Sequence, residues 1–287
     1  MQTATTLDML RKSLAGLRRE GATIGLVPTM GALHRGHLEL VRTARQACNH
    51  VVASIFVNPT QFGPNEDLAS YPRQIEEDSA QLRAEGVTLL WASSVDAMYP
   101  HGFSTTVAVG TVSENFCGAA RPGHFDGVAT VVCKLFNQVQ PDMAFFGEKD
   151  FQQLAVIRAM ARDLDLTAPH ADRIVGVPTV REEDGLALSS RNRYLSAEDR
   201  ARAVALPRAM RDVIAQIGGG NDVASSLADL KAKLLEAGFS QVDYAELADA
   251  QTLEPLSSLG NDPARLLVAA RIGGARLIDN MAVLPKS

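Results

Sequence analysis

His34 and His37 carry the clearest chemistry in this chain. They lie in the run Pro28-Thr29-Met30-Gly31-Ala32-Leu33-His34-Arg35-Gly36-His37, where a β-like segment gives way to a helical one. Residues three apart on a helical turn lie on the same side. Two imidazoles placed that way can donate hydrogen bonds to phosphate oxygens and stabilise charge that grows in a transition state. Gly36 lets the backbone come close to a ligand. The start of the following helix adds unpaired N–H groups and a partial positive charge, which suit phosphate. The plainer alternative is that the pair only caps the helix or packs on a surface.

A second strand-to-helix turn holds Gly147-Glu148-Lys149-Asp150. A lysine at a helix start opposes the helix dipole, and a bound phosphate would offset that. Asp150 also fits a plain N-cap. Asn58 and Gln61 follow another β-like run, and their amides can both donate and accept. Asn58-Pro59 is in addition a common turn initiator.

The elements that must position these residues alternate. Thr23–Pro28, Val51–Val57, Val87–Trp91, Ala144–Phe146 and Arg173–Val177 read as strands. Leu7, Leu10, Leu14 and Leu17 fall at helical spacing and predict an opening amphipathic helix. A helix follows Gly36. Another is predicted from Pro72 to Gly86, with proline in its first turn and glycine past its end. Val128, Val131, Val132, Leu135 and Val139 mark a helix face, as do Leu154, Ile157, Ala161 and Leu164. Alternating strands and helices imply βαβ units, and so a parallel sheet with helices on both faces. Open parallel sheets bind ligands outside the carboxyl ends of their strands, where both turns lie.

The texture changes after Pro178. Ser196-x-x-Asp199 resembles a capping box, Pro207 breaks or restarts a helix, and Val223–Ala237 is helical. Val242–Leu247, Arg265–Ile272 and Ala275–Asn280 read as strands, the last two joined at Gly273-Gly274, a hairpin signal. The fold class is therefore α/β with a smaller carboxyl-terminal α+β domain, divided as residues 1–179 and 180–287.

Composition limits the partners. At 46% hydrophobic and 21% charged residues, a chain of this length can bury a large core. Lys and Arg number 28 against 33 Asp and Glu, a net charge of −5, so no broad nucleic-acid footprint is expected. No apolar run approaches a membrane span, and the amino terminus lacks the apolar block of a signal peptide. Cys48, Cys117 and Cys133 show no C-x-x-C spacing, which suits free thiols in a reducing cytoplasm. His50, His101 and His170 have no partner in sequence and are expected to be structural.

H-x-G-H in a first βα turn resembles the nucleotidyltransferase superfamily that includes class I aminoacyl-tRNA synthetases. PTMGALHRGH, IFVNPTQFGPNEDLASYPR, RPGHFDGV, FFGEKDFQQL and GVPTVREEDGLALSSRNRYLS, in that order, closely resemble the pantothenate synthetase (pantoate–β-alanine ligase) family. The resemblance implies a Rossmann-like domain that condenses pantoate with β-alanine at the expense of ATP, through pantoyl adenylate, releasing pyrophosphate and then AMP. It implies ATP contacts along Met30-Gly31-Ala32-Leu33-His34-Arg35-Gly36-His37, Gly147-Glu148-Lys149-Asp150, Val180 and Leu188-Ser189-Ser190-Arg191. His37, His34 and Lys149 would be catalytic. Without the resemblance, the serine–arginine segment reads as a polar loop; with it, two hydroxyls and a guanidinium can wrap the triphosphate. Gln61, Gln153 and Asn58 would hold pantoate and then β-alanine.

ATP chemistry implies Mg2+ bound mainly through the phosphates, no protein metal site is visible in the sequence, the carboxyl-terminal domain is expected to act as a lid, and the resemblance implies a homodimer. Arg121 and His124 would form a flexible wall near the phosphates. Asp78 matches a possible outer ligand of the ion, but within EEDSAQL it is expected to be a solvated helix acid. The chain departs from the family where Phe116-Cys117-Gly118 replaces the usual Leu-Glu-Gly. Two rivals stay open: another nucleotidyltransferase, and a nucleotide-binding regulator without turnover.

Overall fold

A computed structural model of the chain describes residues 1–19, 21–64, 66 and 68–284. Asn65 and Asp67 of the second family-like block lie outside them. The chain divides into two compact units: residues 1–113, 121–148 and 153–178 form the first, and residues 114–120, 149–152 and the chain from 179 onward form the second.

The first unit begins with β1 (Gln2–Ala4), α1 (Leu7–Arg18), β2 (Ile24–Thr29), α2 (Arg35–Ala47), β3 (His50–Ile55), α3 (Ile75–Ala84), β4 (Leu89–Trp91) and α4 (Val95–Met98). After α5 (Cys117–Ala120), part of the second unit, come α6 (His124–Val139), β5 (Met143–Gly147), α7 (Phe151–Asp163) and β6 (Ile174–Val177). The six strands form one parallel sheet in the order β1-β4-β3-β2-β5-β6. The order reverses between β2 and β5, which pair directly. Loops leaving the carboxyl ends of these two strands therefore flank the crevice where open α/β sheets bind ligands.

The strands are nearly continuous apolar runs because both sheet faces are covered. Val27, Val51, Ala53 and Phe145 pack with Leu40, Val41 and Ala44 of α2 and Leu82 of α3. Ile24, Leu26 and Val52, facing the other way, are equally buried, with α6 against β2 and α1 against α6.

The second unit continues with α8 (Ala197–Ala203), α9 (Ala205–Gly218), α10 (Val223–Glu236), β7 (Gln241–Asp249), β8 (Ala264–Ile272) and β9 (Ala275–Val283). Its strands form an antiparallel sheet in sequence order. Met210 and Val213 of α9 and Leu230 and Leu234 of α10 are buried with Leu266, Val268 and Leu277 of that sheet. Gly273 and Gly274 both take positive φ, 54° and 78°, as a tight I′-type hairpin requires. Ser196 caps α8 by accepting the Asp199 N–H at 3.0 Å. Pro207 sits in the first turn of α9, which restarts the helix rather than ending it.

Two sequence expectations about these elements need correction. The helix predicted from Pro72 begins at Ile75, because Tyr71 is buried edge-on against Phe62 and holds the preceding chain outside the helix. Leu164 lies past the end of α7 and is exposed, since Asp165 turns into the left-handed region. β1, α4 and α5, of three or four residues each, were too short to show periodicity. Among the described residues no helix is long and apolar enough to cross a membrane.

Candidate active site

The histidine turn begins where β2 ends. Thr29 Oγ1 donates to the Ser54 carbonyl at 2.8 Å and accepts the Gly31 N–H at 3.2 Å. Gly31 and Ala32 then adopt φ of 85° and 51°, both left-handed. Their strain is held by a residue expected elsewhere. Asp78, predicted to be a solvated helix acid, is 1% exposed and accepts the backbone N–H groups of Ala32 and Leu33, each at 2.9 Å. The expectation fails because this turn of α3 faces the histidine loop instead of water.

His34 is extended and caps α2 rather than lying within it. Its Nδ1 accepts the Gly36 N–H at 3.1 Å, and His37 Nδ1 accepts the His34 N–H at 3.3 Å. The rings stand 4.0 Å apart at 32°. Capping and phosphate binding are thus not alternatives. The caps occupy Nδ1 on both rings as an acceptor, which puts each ring proton on Nε2. Gly147 and Glu148 leave β5 at the same end of the sheet as this turn leaves β2.

Asn58 and Gln61 bracket a 3-10 turn, Pro59–Gln61, after β3. Asn58 is 1% exposed. Its oxygen accepts from Tyr99 Oη and Thr60 Oγ1, both at 2.9 Å, and its nitrogen donates to Gln61 Oε1 at 3.1 Å and the Gly127 carbonyl at 3.0 Å. Asn58 therefore positions Gln61. Among the described residues, the Gln61 amide nitrogen meets the Met30 thioether, at 3.0 Å, a weak acceptor. A donor this buried and this poorly matched suits an oxygen-rich ligand. Gly127 lets α6 rest on the same turn: a Cβ there would lie 2.4 Å from the Thr60 carbonyl oxygen. Gly127→Ala is expected to cost about 1–3 kcal/mol, read as a lowered denaturant midpoint.

Arg121 and His124, expected as a flexible wall, are wired to Gln61. His124 Nδ1 meets the Gln61 carbonyl at 2.8 Å and its Nε2 meets an Arg121 nitrogen at 2.9 Å. Arginine only donates, so Nε2 accepts and Nδ1 carries the proton. Arg121 grips Glu66 through two 2.6 Å bonds. Nothing in the sequence singled out Glu66. Burial alone would raise its carboxyl, but the Arg121 fork, with help from the Gly63 N–H and His124, brings it down to about 2. A depressed folded pKa stabilises the protein above the unfolded value and loses that contribution as pH falls toward the folded one. Wild type should therefore exceed Glu66→Gln in stability by a constant margin above about pH 5, and the margin should shrink between about pH 4.5 and 2. Denaturant titrations of both proteins across that range check this; a pH-independent margin would contradict it.

Gln153 is partly exposed on α7, in the first unit. Its neighbour Gln152 is buried and structural: it accepts the Cys117 N–H at 3.0 Å and donates to the Asn115 carbonyl at 2.7 Å.

The remaining expected residues lie in the second unit, where a network missed in the sequence joins them. The Val180 carbonyl accepts the Leu188 N–H at 3.0 Å, which sets Val180 beside the start of Leu188-Ser189-Ser190-Arg191. Ser189 caps a 3-10 turn, accepting the Arg191 N–H at 3.2 Å. Arg181, inside this hairpin, pairs in bidentate fashion with buried Asp279 at 2.7 and 2.8 Å. The adjacent Asn280 donates to the Lys149 carbonyl at 2.8 Å. Lys149 thus shares its support with the serine–arginine hairpin. Its ammonium lies 3.8 Å from Asp150, the residue just before α7.

Cys117, where the resemblance leads one to expect a glutamate, is buried with its sulfur 3.0 Å from Tyr244 Oη and 3.5 Å from an Arg276 nitrogen. Asp243 accepts from the Arg276 Nε at 2.7 Å, so the guanidinium keeps an acidic partner without a glutamate at 117. All three cysteines are free. Among the described residues no group of three acidic, histidine or cysteine side chains could hold a metal ion.

The profile of the family described as Pantoate-beta-alanine ligase matches residues 2–282. A pantothenate synthetase from Novosphingobium aromaticivorans is 67% identical over 286 residues, covering 100% of both chains. The crystal structure of pantothenate synthetase from Thermus thermophilus superposes with a TM-score of 0.91 at 51% identity, covering 99% of this chain and 100% of that one. Pantoate-beta-alanine ligase from Francisella tularensis, solved in complex with beta-gamma ATP and beta-alanine, gives a TM-score of 0.82 at 34% identity, covering 98% and 97%. With the parallel sheet, the antiparallel sheet and the full-length match in agreement, the chain belongs to the pantoate-beta-alanine ligase family of enzymes.

Proposed function

We propose that this enzyme condenses (R)-pantoate with β-alanine, using ATP, through pantoyl adenylate. A pantoate carboxylate oxygen attacks the α-phosphorus, the bond to the β-phosphate oxygen breaks, and pyrophosphate leaves. The β-alanine amine then attacks the acyl carbon, AMP leaves with the bridging oxygen, and the amine loses its proton to solvent. Adenylation converts a poor leaving group into a good one and splits one difficult step into two easier ones.

The observation that carries this reading is the close, tilted histidine pair in which each Nδ1 accepts a capping N–H, which assigns the ring proton to Nε2. Such donors stabilise charge growing on the α-phosphate during attack. Met30 through His37, with Gly147, Glu148, Lys149 and Asp150, bind ATP. Lys149 neutralises phosphate charge; Leu188, Ser189, Ser190 and Arg191 form the segment at the triphosphate and the departing pyrophosphate, and the Val180 backbone meets the adenine. Gln61, positioned by Asn58, and Gln153 hold pantoate and then β-alanine. Support for ATP and β-alanine as ligands comes from the Francisella relative.

Mg2+ enters with ATP: hard and oxygen-seeking, it neutralises phosphate charge and is held by phosphate oxygens and water. Residues 1–179 hold pantoate and the histidine turn that binds ATP, and residues 180–287, which supply Val180 and the serine–arginine segment, act as a lid that keeps water from the adenylate. The enzyme works in the cytoplasm as a homodimer.

The test measures pyrophosphate and AMP with ATP, Mg2+ and pantoate, with and without β-alanine. Pyrophosphate that requires pantoate, with AMP and pantothenate completing only on addition of β-alanine, is expected. Pyrophosphate without a pantoate requirement would indicate another adenylyl transfer. Bound ATP with neither product would indicate a regulator.

A further inference from the structure

We infer that Asp78 is a positioning residue for the adenylation step, holding the histidine turn in its working shape. The inference rests on the function proposed above, because it assigns the turn's rigidity to phosphate chemistry. Two consecutive left-handed residues, one of them Ala32 with its own Cβ, make this turn costly. Such backbone persists only where its surroundings hold it. The carboxylate does so with both oxygens. Oδ2 accepts the Ala32 N–H, and Oδ1 accepts the Leu33 N–H and, at 3.3 Å, the Gln74 side-chain amide. Leu33 precedes His34, so these bonds fix where the α2 cap begins and where both rings stand. Gly31 completes the fit: a Cβ there would meet Asp78 Oδ2 at 3.0 Å and Ile55 Cγ2 at 3.3 Å. Among the described residues the acid bonds to backbone and an amide, with no second acid or histidine. That is the environment of a carboxylate serving the loop rather than an ion.

Asp78→Asn isolates this role. An amide of the same size offers one acceptor oxygen, so its nitrogen must face at least one backbone N–H that the carboxylate now serves. A misplacement near 1 Å can cost about 10²-fold in rate. Pantoate-dependent pyrophosphate release by Asp78→Asn should therefore fall on the order of 10²-fold. Transfer from supplied pantoyl adenylate to β-alanine, which needs no attack at phosphorus, should stay at the wild-type rate. Hydrogen exchange at the Ala32 and Leu33 amides should accelerate in the variant.

Wild-type pyrophosphate release by the variant would overturn the inference. So would equal slowing of both half-reactions, which marks a general structural role, or restoration of rate by excess Mg2+, which marks a metal contact. If Asp78→Asn does not fold, Asp78→Glu, which keeps the charge but moves the carboxylate by one methylene, must slow adenylation and spare transfer; equal effects on both would again overturn it. Wild-type protein that releases no pantoate-dependent pyrophosphate contradicts the proposed function instead, and the exchange rates then decide whether Asp78 holds the turn.

Discussion

Replacing His37 with alanine is expected to lower pantoate-dependent pyrophosphate release by on the order of 10²–10³-fold, the usual cost of losing one preorganised donor to a charged transition state. The variant should still fold. It loses the 3.3 Å bond by which His37 Nδ1 accepts the His34 N–H, a capping contact worth about 0.5–2 kcal/mol. His37→Asn separates the two contributions. Its amide oxygen can stand where Nδ1 stands and restore the cap, but it has no donor at the place of Nε2. Stability should recover in the asparagine variant and rate should not. Pre-steady-state pyrophosphate measurements beside thermal unfolding check both halves. A rate that recovers with the cap would mean that the histidine is only a helix device.

The second large effect is expected at Gln61. Gln61→Glu keeps the shape and the oxygen that accepts from Asn58, but replaces the poorly matched amide donor with an anion. A hydrogen bond to a charged group contributes about 1.5–3 kcal/mol, and facing the pantoate carboxylate the new charge adds repulsion. We expect kcat/KM for pantoate to fall by on the order of 10²-fold, with KM for ATP unchanged. Gln61→Ala should give a smaller loss, since it removes the donor without adding a charge. Steady-state kinetics with each substrate varied will show this. Equal losses in the two variants, or a change confined to ATP, would place Gln61 outside the pantoate pocket.

How legible these residues were in the sequence depended on the range of their contacts. The histidine pair, Gln61 and Lys149 sit at strand-to-helix turns, and the period of the flanking apolar residues located those turns. The strands of the main sheet were readable because burial on both faces leaves continuous apolar runs. Asp78 was not readable: it follows Glu76 and Glu77 on a charged helix start, and what buries it is a loop 45 and 46 residues away. Glu66 was hidden for the same reason, its arginine lying 55 residues on. The grouping of 114–120 and 149–152 with the carboxyl-terminal unit likewise has no signal in composition or periodicity. β1 pairs with β4, but three residues cannot show alternation.

The adenylate is the central claim, and oxygen labelling tests it most directly. Pantoate carrying 18O in its carboxylate is turned over with ATP, Mg2+ and β-alanine, and the products are weighed by mass spectrometry. If a carboxylate oxygen attacks the α-phosphorus and then leaves as the bridging atom, each AMP carries one 18O and pyrophosphate carries none. Label in inorganic phosphate, with ADP in place of AMP, or AMP free of label would contradict the adenylate route.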